Sequence, residues 1–166
     1  MTLAFTYCSF CGAQYRPEQP WPRVCASCGN TTYRNPLPVS VVLLPVDAGL
    51  LAVRRAIEPR RGQLALPGGF INHGESWQAA GAREVFEETG IALDPATIRE
   101  FSVRSAPDGT VLIFGLAAPI RPGRLPAFVP NEETSELAVI TQAVPLAFPL
   151  HTAVVTDYFS RPGGRT

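Results

Sequence analysis

Three glutamates, Glu84, Glu87 and Glu88, stand at offsets 0, +3 and +4 within GFINHGESWQAAGAREVFEETGI, residues 69–91. On a helix of 3.6 residues per turn those offsets put the carboxylates within about 100° of one another. Like charges at i, i+4 destabilise a bare helix by a few tenths of a kcal/mol. A positive partner is therefore expected, and a divalent cation is the natural one. Clustered oxygen ligands suit Mg2+ or Mn2+ rather than zinc, since hard cations prefer carboxylate, carbonyl and water. Mg2+ keeps several waters and also binds phosphate. It can lower the pKa of an attacking water and neutralise charge developing on a phosphoryl oxygen. A diphosphate is the substrate such a site matches. A solvated acidic face would explain the three carboxylates, but not the Leu66–Gly69 turn LPGG, Arg83 and Glu75 at their fixed offsets.

A second set of ligating residues lies at the other end of the chain. All four cysteines fall in the first 28 residues, as Cys8-x-x-Cys11 and Cys25-x-x-Cys28, each pair followed by a glycine, Gly12 or Gly29. Two such turns can each hold a tetrahedral ion through two thiolates at about 2.3 Å. The glycine lets the turn adopt positive φ. A redox Cys-x-x-Cys usually stands alone beside a βαβ unit, whereas this one is duplicated. Disulfides are disfavoured because no export signal is evident and cytosolic thiols stay reduced. Structural Zn2+ on Cys8, Cys11, Cys25 and Cys28 is expected. With four cysteines there is no open coordination position, so this metal is not expected to be catalytic.

The elements that must position these groups can be read in outline. Pro38–Val46 is β-branched and apolar, a buried strand, and Leu50–Arg55 forms a hairpin with it through Asp47-Ala48-Gly49. The helix that bears the three glutamates begins near Ser76 as N-cap and ends at Gly90, with Ala79, Ala82, Val85 and Phe86 on its other faces. Ile98–Ser105 and Thr110–Ala118 read as strands around the turn Pro107-Asp108-Gly109. A proline-rich excursion follows at Arg121–Pro130. A last helix begins near Pro149, ahead of a frayed SRPGGRT. Strands on both sides of a central helix indicate a mixed α/β sandwich. The chain has 166 residues, 46% of them hydrophobic and 17% charged, which suits one ordinary domain plus a small appendage. Zero formal net charge gives no general pull toward nucleic acid or anionic membrane. No run of about 18 apolar residues spans a bilayer, and the start MTLAFTYCSFCG lacks a basic segment followed by an apolar core. A cytoplasmic protein is the expectation.

Gly69, Glu75, Arg83, Glu84, Val85, Glu87, Glu88, Gly90 and Ile91 fall at the spacings of the Nudix box, and the stretch resembles that family of hydrolases. The resemblance implies an α/β/α sandwich with a mixed sheet, covering residues 36–166, behind a zinc ribbon at residues 1–35. It implies hydrolysis of a nucleoside diphosphate linked to another group, by water attack at one phosphorus, with Mg2+ or Mn2+. Carried over, Glu87 and Glu88 are the main metal ligands, beside the carbonyl of Gly68 in the Gly68-Gly69 turn. Glu84 is a further ligand or the general base. Arg83 holds one of the glutamates, and Glu75 braces the loop. Many members recruit one more acid from a downstream loop. In NEETSELAVI, which offers Glu132, Glu133 and Glu136, that acid aligns with Glu133.

A ribbon ahead of a Nudix domain resembles the NADH pyrophosphatase branch, which acts on NAD(H) and on NAD-capped RNA. The Ser-Gln-Pro-Trp-Pro-Phe-Pro signature of that branch does not follow Ile91; only Gln19-Pro20-Trp21-Pro22, inside the cysteine loop, echoes it. Pro107, 16 residues past Ile91, fits the ADP-ribose hydrolases instead. The expected activity is pyrophosphohydrolysis of ADP-ribose or a related dinucleotide. The alternatives are an NAD(H) pyrophosphatase and a non-catalytic nucleotide sensor. Arg54, Arg55, Arg60 and Arg61 precede the site and could meet phosphate or ribose. Phe114 or Tyr33 could stack on a base, with core packing the simpler fate for Phe114. The expected partner is a small nucleotide derivative, with neither membrane nor nucleic acid. A homodimer follows by resemblance to ribbon-bearing relatives.

Overall fold

The computed structural model describes residues 5–121, 123 and 125–161; from residue 162 on, the expected frayed end lies outside the described residues. The chain divides into two compact units, Met1–Pro36 and Leu37–Thr166.

The first unit has almost no apolar interior. Its buried centre is Cys8, Tyr15 and Cys25, and β1 (Arg23–Val24) pairs antiparallel with β2 (Thr31–Thr32). Each cysteine pair forms a tight turn closed by the glycine behind it. The Gly12 N–H donates to the Cys8 carbonyl and the Gly29 N–H to the Cys25 carbonyl, both at 2.9 Å. The Trp21 of the Gln-Pro-Trp-Pro segment has a structural task here. Its ring meets Phe5 edge-on at 5.7 Å, and the Arg23 guanidinium lies 4.5 Å from its centre.

The second unit runs β3 (Leu37–Leu43), β4 (Pro45–Val46), β5 (Gly49–Arg55), β6 (Leu64–Ala65), β7 (Gly68–Phe70), α1 (Trp77–Thr89), β8 (Arg99–Ser105), β9 (Thr110–Leu116), β10 (Thr134–Ile140) and α2 (Pro149–Ser160). The strands form two four-stranded sheets. One is mixed, in the order β7-β3-β9-β8 with β3 and β9 parallel. The other is antiparallel, β10-β5-β4, with β6 also on β5. The single strand expected over 38–46 is broken at Leu44, so β3 joins the first sheet and β4 the second. Leu44 still accepts the Leu51 N–H at 2.9 Å.

Side-chain alternation then builds two cores. Val41 and Leu43 from β3, with Leu50 and Ala52 from β5, pack with Val154, Val155 and Tyr158 of α2. Val42, Leu44 and Leu51 point the other way and pack with Ala82 and Val85 of α1. A strand buried on both faces must be apolar at consecutive positions, which is why VVLL carries no polar residue. The result is an α/β/α sandwich. Phe114 is fully buried in the α2-side core, whereas Phe86 of α1 is 56% exposed. No helix among the described residues is long and apolar enough to cross a membrane.

Candidate active site

Helix α1 is held at both ends by local chemistry. The Ser76 hydroxyl accepts the Ala79 N–H at 3.1 Å, satisfying one of the free donors of the first turn. Gly90 ends the helix in the left-handed region, at φ 75°, where its N–H donates to the Phe86 carbonyl at 2.8 Å. The helix lies close on β3. The Ser40 hydroxyl, fully buried, donates to the Trp77 carbonyl at 2.8 Å. A Cβ at Gly81 would come within 2.8 Å of Ser40 Oγ and Val42 Cγ2.

Arg83 organises the acids. Its Nε and Nη2 grip the Glu75 carboxylate at 3.0 and 3.1 Å, and Nη2 also donates to the Phe70 carbonyl at 3.0 Å. Nη1 donates to Glu84 at 2.7 Å and to Glu87 at 3.0 Å. All five guanidinium protons are thus engaged. Glu75 also accepts the Asn72 N–H at 3.1 Å, so it ties the loop after β7 to the helix, and these bonds hold its carboxyl below the usual range. Gly69 passes so close to Glu84 that a Cβ there would collide with its carboxylate. Glu88 turns instead to the start of β7, accepting the Gly68 N–H at 3.2 Å.

Burial sets these acids apart electrostatically. Glu88 is 6% exposed. Desolvation first, then the nearby Glu84 charge and, less, that of Glu133, push its carboxyl up to about 8, while the Gly68 N–H and, least, Arg55 oppose them. Glu84 is raised as well, chiefly by burial, with Arg83 opposing. Glu87 remains open, its side chain 55% exposed. Carboxyls raised by burial and by one another would be lowered again by a cation, and oxygen donors suit a hard one.

The downstream acids are divided by their partners. Glu136, on β10, pairs with Arg54 of β5 at 2.5 Å. Glu132 and Glu133 line an open cleft of about 350 Å³ together with Glu87 and Asn131. Asn131 had no signal in the sequence, yet it fastens this acidic loop to the end of α1. Its Nδ2 donates to the Glu87 carbonyl at 3.0 Å, and its Oδ1 accepts the N–H groups of Glu133 and Thr134 at 3.0 and 2.8 Å. Arg55 donates to the Pro59 carbonyl at 2.8 Å and lies over the Phe148 ring at 5.1 Å. Arg60 and Arg61 are exposed. His151 of α2 was also unforeseen. Buried against Phe114 and Phe148, its Nδ1 accepts the Leu66 N–H at 3.2 Å just ahead of the Pro67-Gly68-Gly69 turn.

In the first unit, Cys8, Cys11, Cys25 and Cys28 bring their sulfurs within 4.8 Å of one another. Cys8–Cys28 and Cys11–Cys25 are 3.7 and 3.6 Å apart. A tetrahedron with bonds of about 2.3 Å has edges of about 3.8 Å, so this spacing fits a zinc ion; a disulfide needs about 2.05 Å. Four thiolates this close cannot all ionise without a cation. A backbone hydrogen bond at Ala13 pulls Cys11 down, but Cys28, burial and the other thiols push it up to about 12.

The sequence matches the NUDIX domain over residues 34–152. NAD-capped RNA hydrolases of Edwardsiella ictaluri and Shigella flexneri are 33% and 34% identical to it over 88 residues, covering 52% of this chain and 34% of each relative. The chain thus spans about a third of the length of the curated relatives it matches. A NUDIX hydrolase from Nitrosomonas europaea superposes with a TM-score of 0.73 at 27% identity, over 93% of this chain and 90% of that one. A bifunctional NMN adenylyltransferase/ADP ribose pyrophosphatase from Francisella tularensis gives 0.56 at 27% identity, over 66% of this chain and 35% of that one. With most of its length matched, the chain belongs to the Nudix domain family.

Proposed function

We propose that this chain is a Mg2+-dependent pyrophosphohydrolase that cleaves a nucleoside diphosphate linked to another group, with ADP-ribose or a related dinucleotide as substrate. The observation that carries the reading is the acid cluster around Arg83, with Glu88 buried and pushed up to about 8. Such a group is costly to bury for packing alone. Glu87 and Glu88, beside the Gly68 carbonyl, would hold the Mg2+ or Mn2+. That ion supplies a more acidic water and charge neutralisation at a phosphoryl oxygen. Arg83 and Glu75 keep the Gly68-Gly69 turn and the carboxylates in register. Glu84 serves either as a further ligand or as the general base, and the Mn2+ affinity of Glu84→Gln separates the two roles. Glu133 completes the acid set from across the cleft, where Asn131 fixes its loop.

The similarity to NAD-capped RNA hydrolases favours one alternative, NAD(H) or an NAD cap as substrate. A third reading, a sensor that binds nucleotide without turnover, leaves the retained glutamates without a task. Incubation with ADP-ribose, NADH, FAD and diadenosine polyphosphates plus Mg2+ decides among them. Two monophosphate products from ADP-ribose support the proposal, and cleavage of NADH alone favours the alternative. Tight binding with no product from any compound would sink catalysis.

Residues 1–35 are proposed as a structural zinc ribbon and 36–166 as the hydrolase domain. The thiol spacing supports reduced cysteines, and with them a cytoplasmic location. We further propose a homodimer that needs neither membrane nor nucleic acid; light scattering of the purified chain tests the dimer.

A further inference from the structure

A second cleft, of about 240 Å³, opens beside the acidic one. It is lined by Phe86 and Thr89 of α1 and by Pro126, Phe128 and Val129 of the proline-rich segment, and it shares Glu87 and Asn131 with its neighbour. Its character is unlike that of the acid cluster. Phe86 is 56% and Val129 76% exposed, large apolar surface that no core packing explains. Whole-ligand pockets run to about 300–1,000 Å³, so this one suits a single heterocycle rather than an entire dinucleotide. Of its polar side chains Glu87 belongs to the acid cluster, and the other two are spent inside the protein. The Thr89 hydroxyl donates to the Val85 carbonyl and accepts the Ile91 N–H, while the Asn131 amide is occupied by the Glu87 carbonyl and by two backbone N–H groups.

We infer that this cleft takes the nucleobase of the substrate, stacked on Phe86 and Phe128, while the diphosphate lies in the adjoining acidic cleft. The inference rests on the reading of the acid cluster as a phosphate-handling site. The occupant follows from continuity: a molecule that bridges both clefts would carry at one end a phosphate that a dication held by the acids can bind, and at the other a flat ring. Stacking is tolerant of base identity because every base presents a π-face. With Thr89 and Asn131 already committed, the cleft grips a base more than it reads one, and adenine and guanine nucleotides should bind alike.

The test uses binding rather than turnover. Calorimetry of the full chain compares AMP and GMP, which carry a base, with ribose 5-phosphate, which does not. The wild type is expected to prefer both nucleotides over ribose 5-phosphate. Phe86→Ala and Phe128→Ala should each lose about 5- to 100-fold of that preference, and Phe128→Trp should keep it. Phe86 is exposed, so its truncation leaves the fold intact, and the melting temperature confirms this. Equal binding of AMP and ribose 5-phosphate, or Ala variants that bind AMP like the wild type, would overturn the inference. So would a dimer that falls apart in Phe128→Ala with AMP affinity unchanged, since the cleft would then be covered by a second copy. A chain that hydrolyses nothing yet shows the phenylalanine-dependent preference refutes the catalytic proposal and upholds the base site.

Discussion

Arg83 shows what a single residue can settle. Its five protons join Glu75, Glu84, Glu87 and the Phe70 carbonyl, and lysine, with three protons on one nitrogen, cannot reproduce that fork. Arg83→Lys should keep the positive charge but let the carboxylates drift. Displacements of about 1 Å near reacting groups can cost about 10²-fold, so kcat should fall by about that factor while KM changes little. Unchanged kcat would remove Arg83 from the mechanism. His151 gives a prediction on stability. Burial, helped by the Arg55 charge, holds its pKa down at about 3 from 6.5, so the folded protein binds its proton far less readily than the unfolded chain. The stabilisation is complete above about pH 6.5 and is lost as the pH falls toward 3, up to roughly 5 kcal/mol. Urea unfolding of wild type and His151→Gln at pH 7 and pH 4 should show the wild type losing more stability by a few kcal/mol. Parallel losses would contradict the neutral buried imidazole.

At the scale of elements, the glycines decide how near the helix and strands can come. Gly81 lets α1 lie on β3 with Ser40 Oγ and Val42 Cγ2 within 2.8 Å of where a Cβ would stand. Alanine is the better helix former by about 1 kcal/mol, but overpacking costs about 1–3 kcal/mol, and here it wins. Gly81→Ala should lower Tm by a few degrees in a calorimetric scan, and a rise would mean the packing is loose. The box helix was legible because its evidence is local: a serine cap, a glycine stop and carboxylates at helical spacing all lie within one run of sequence. The break at Leu44 was not, since one apolar run feeding two sheets looks the same as one long strand. Asn131 and His151 escaped for a related reason. Their partners, the Glu87 carbonyl and the Leu66 N–H, are distant in sequence, and backbone groups leave no mark on residue type. Glu133 could be singled out only by resemblance; its place in the same cleft as Glu87 depends on how Asn131 anchors the loop.

Across the whole molecule, two metals would serve two ends. The unit up to Pro36 buries little beyond Cys8, Tyr15 and Cys25, so its folding should depend on zinc, worth on the order of 10 kcal/mol in small modules. Elemental analysis should find one zinc per chain, reduced in Cys11→Ser. Chelation should unprotect amides before Pro36 while those from Leu37 onward stay protected in hydrogen exchange; protection unchanged in the first unit would contradict a structural ion. On the proposed function the larger unit carries the chemistry, with its α1 carboxylates holding a hard dication. Mn2+ titration followed by the electron paramagnetic resonance of the free ion measures this most directly. Wild type should bind Mn2+, and a Glu84→Gln, Glu87→Gln, Glu88→Gln triple variant of unchanged fold and zinc content should not. Equal Mn2+ binding by the two proteins would contradict the account.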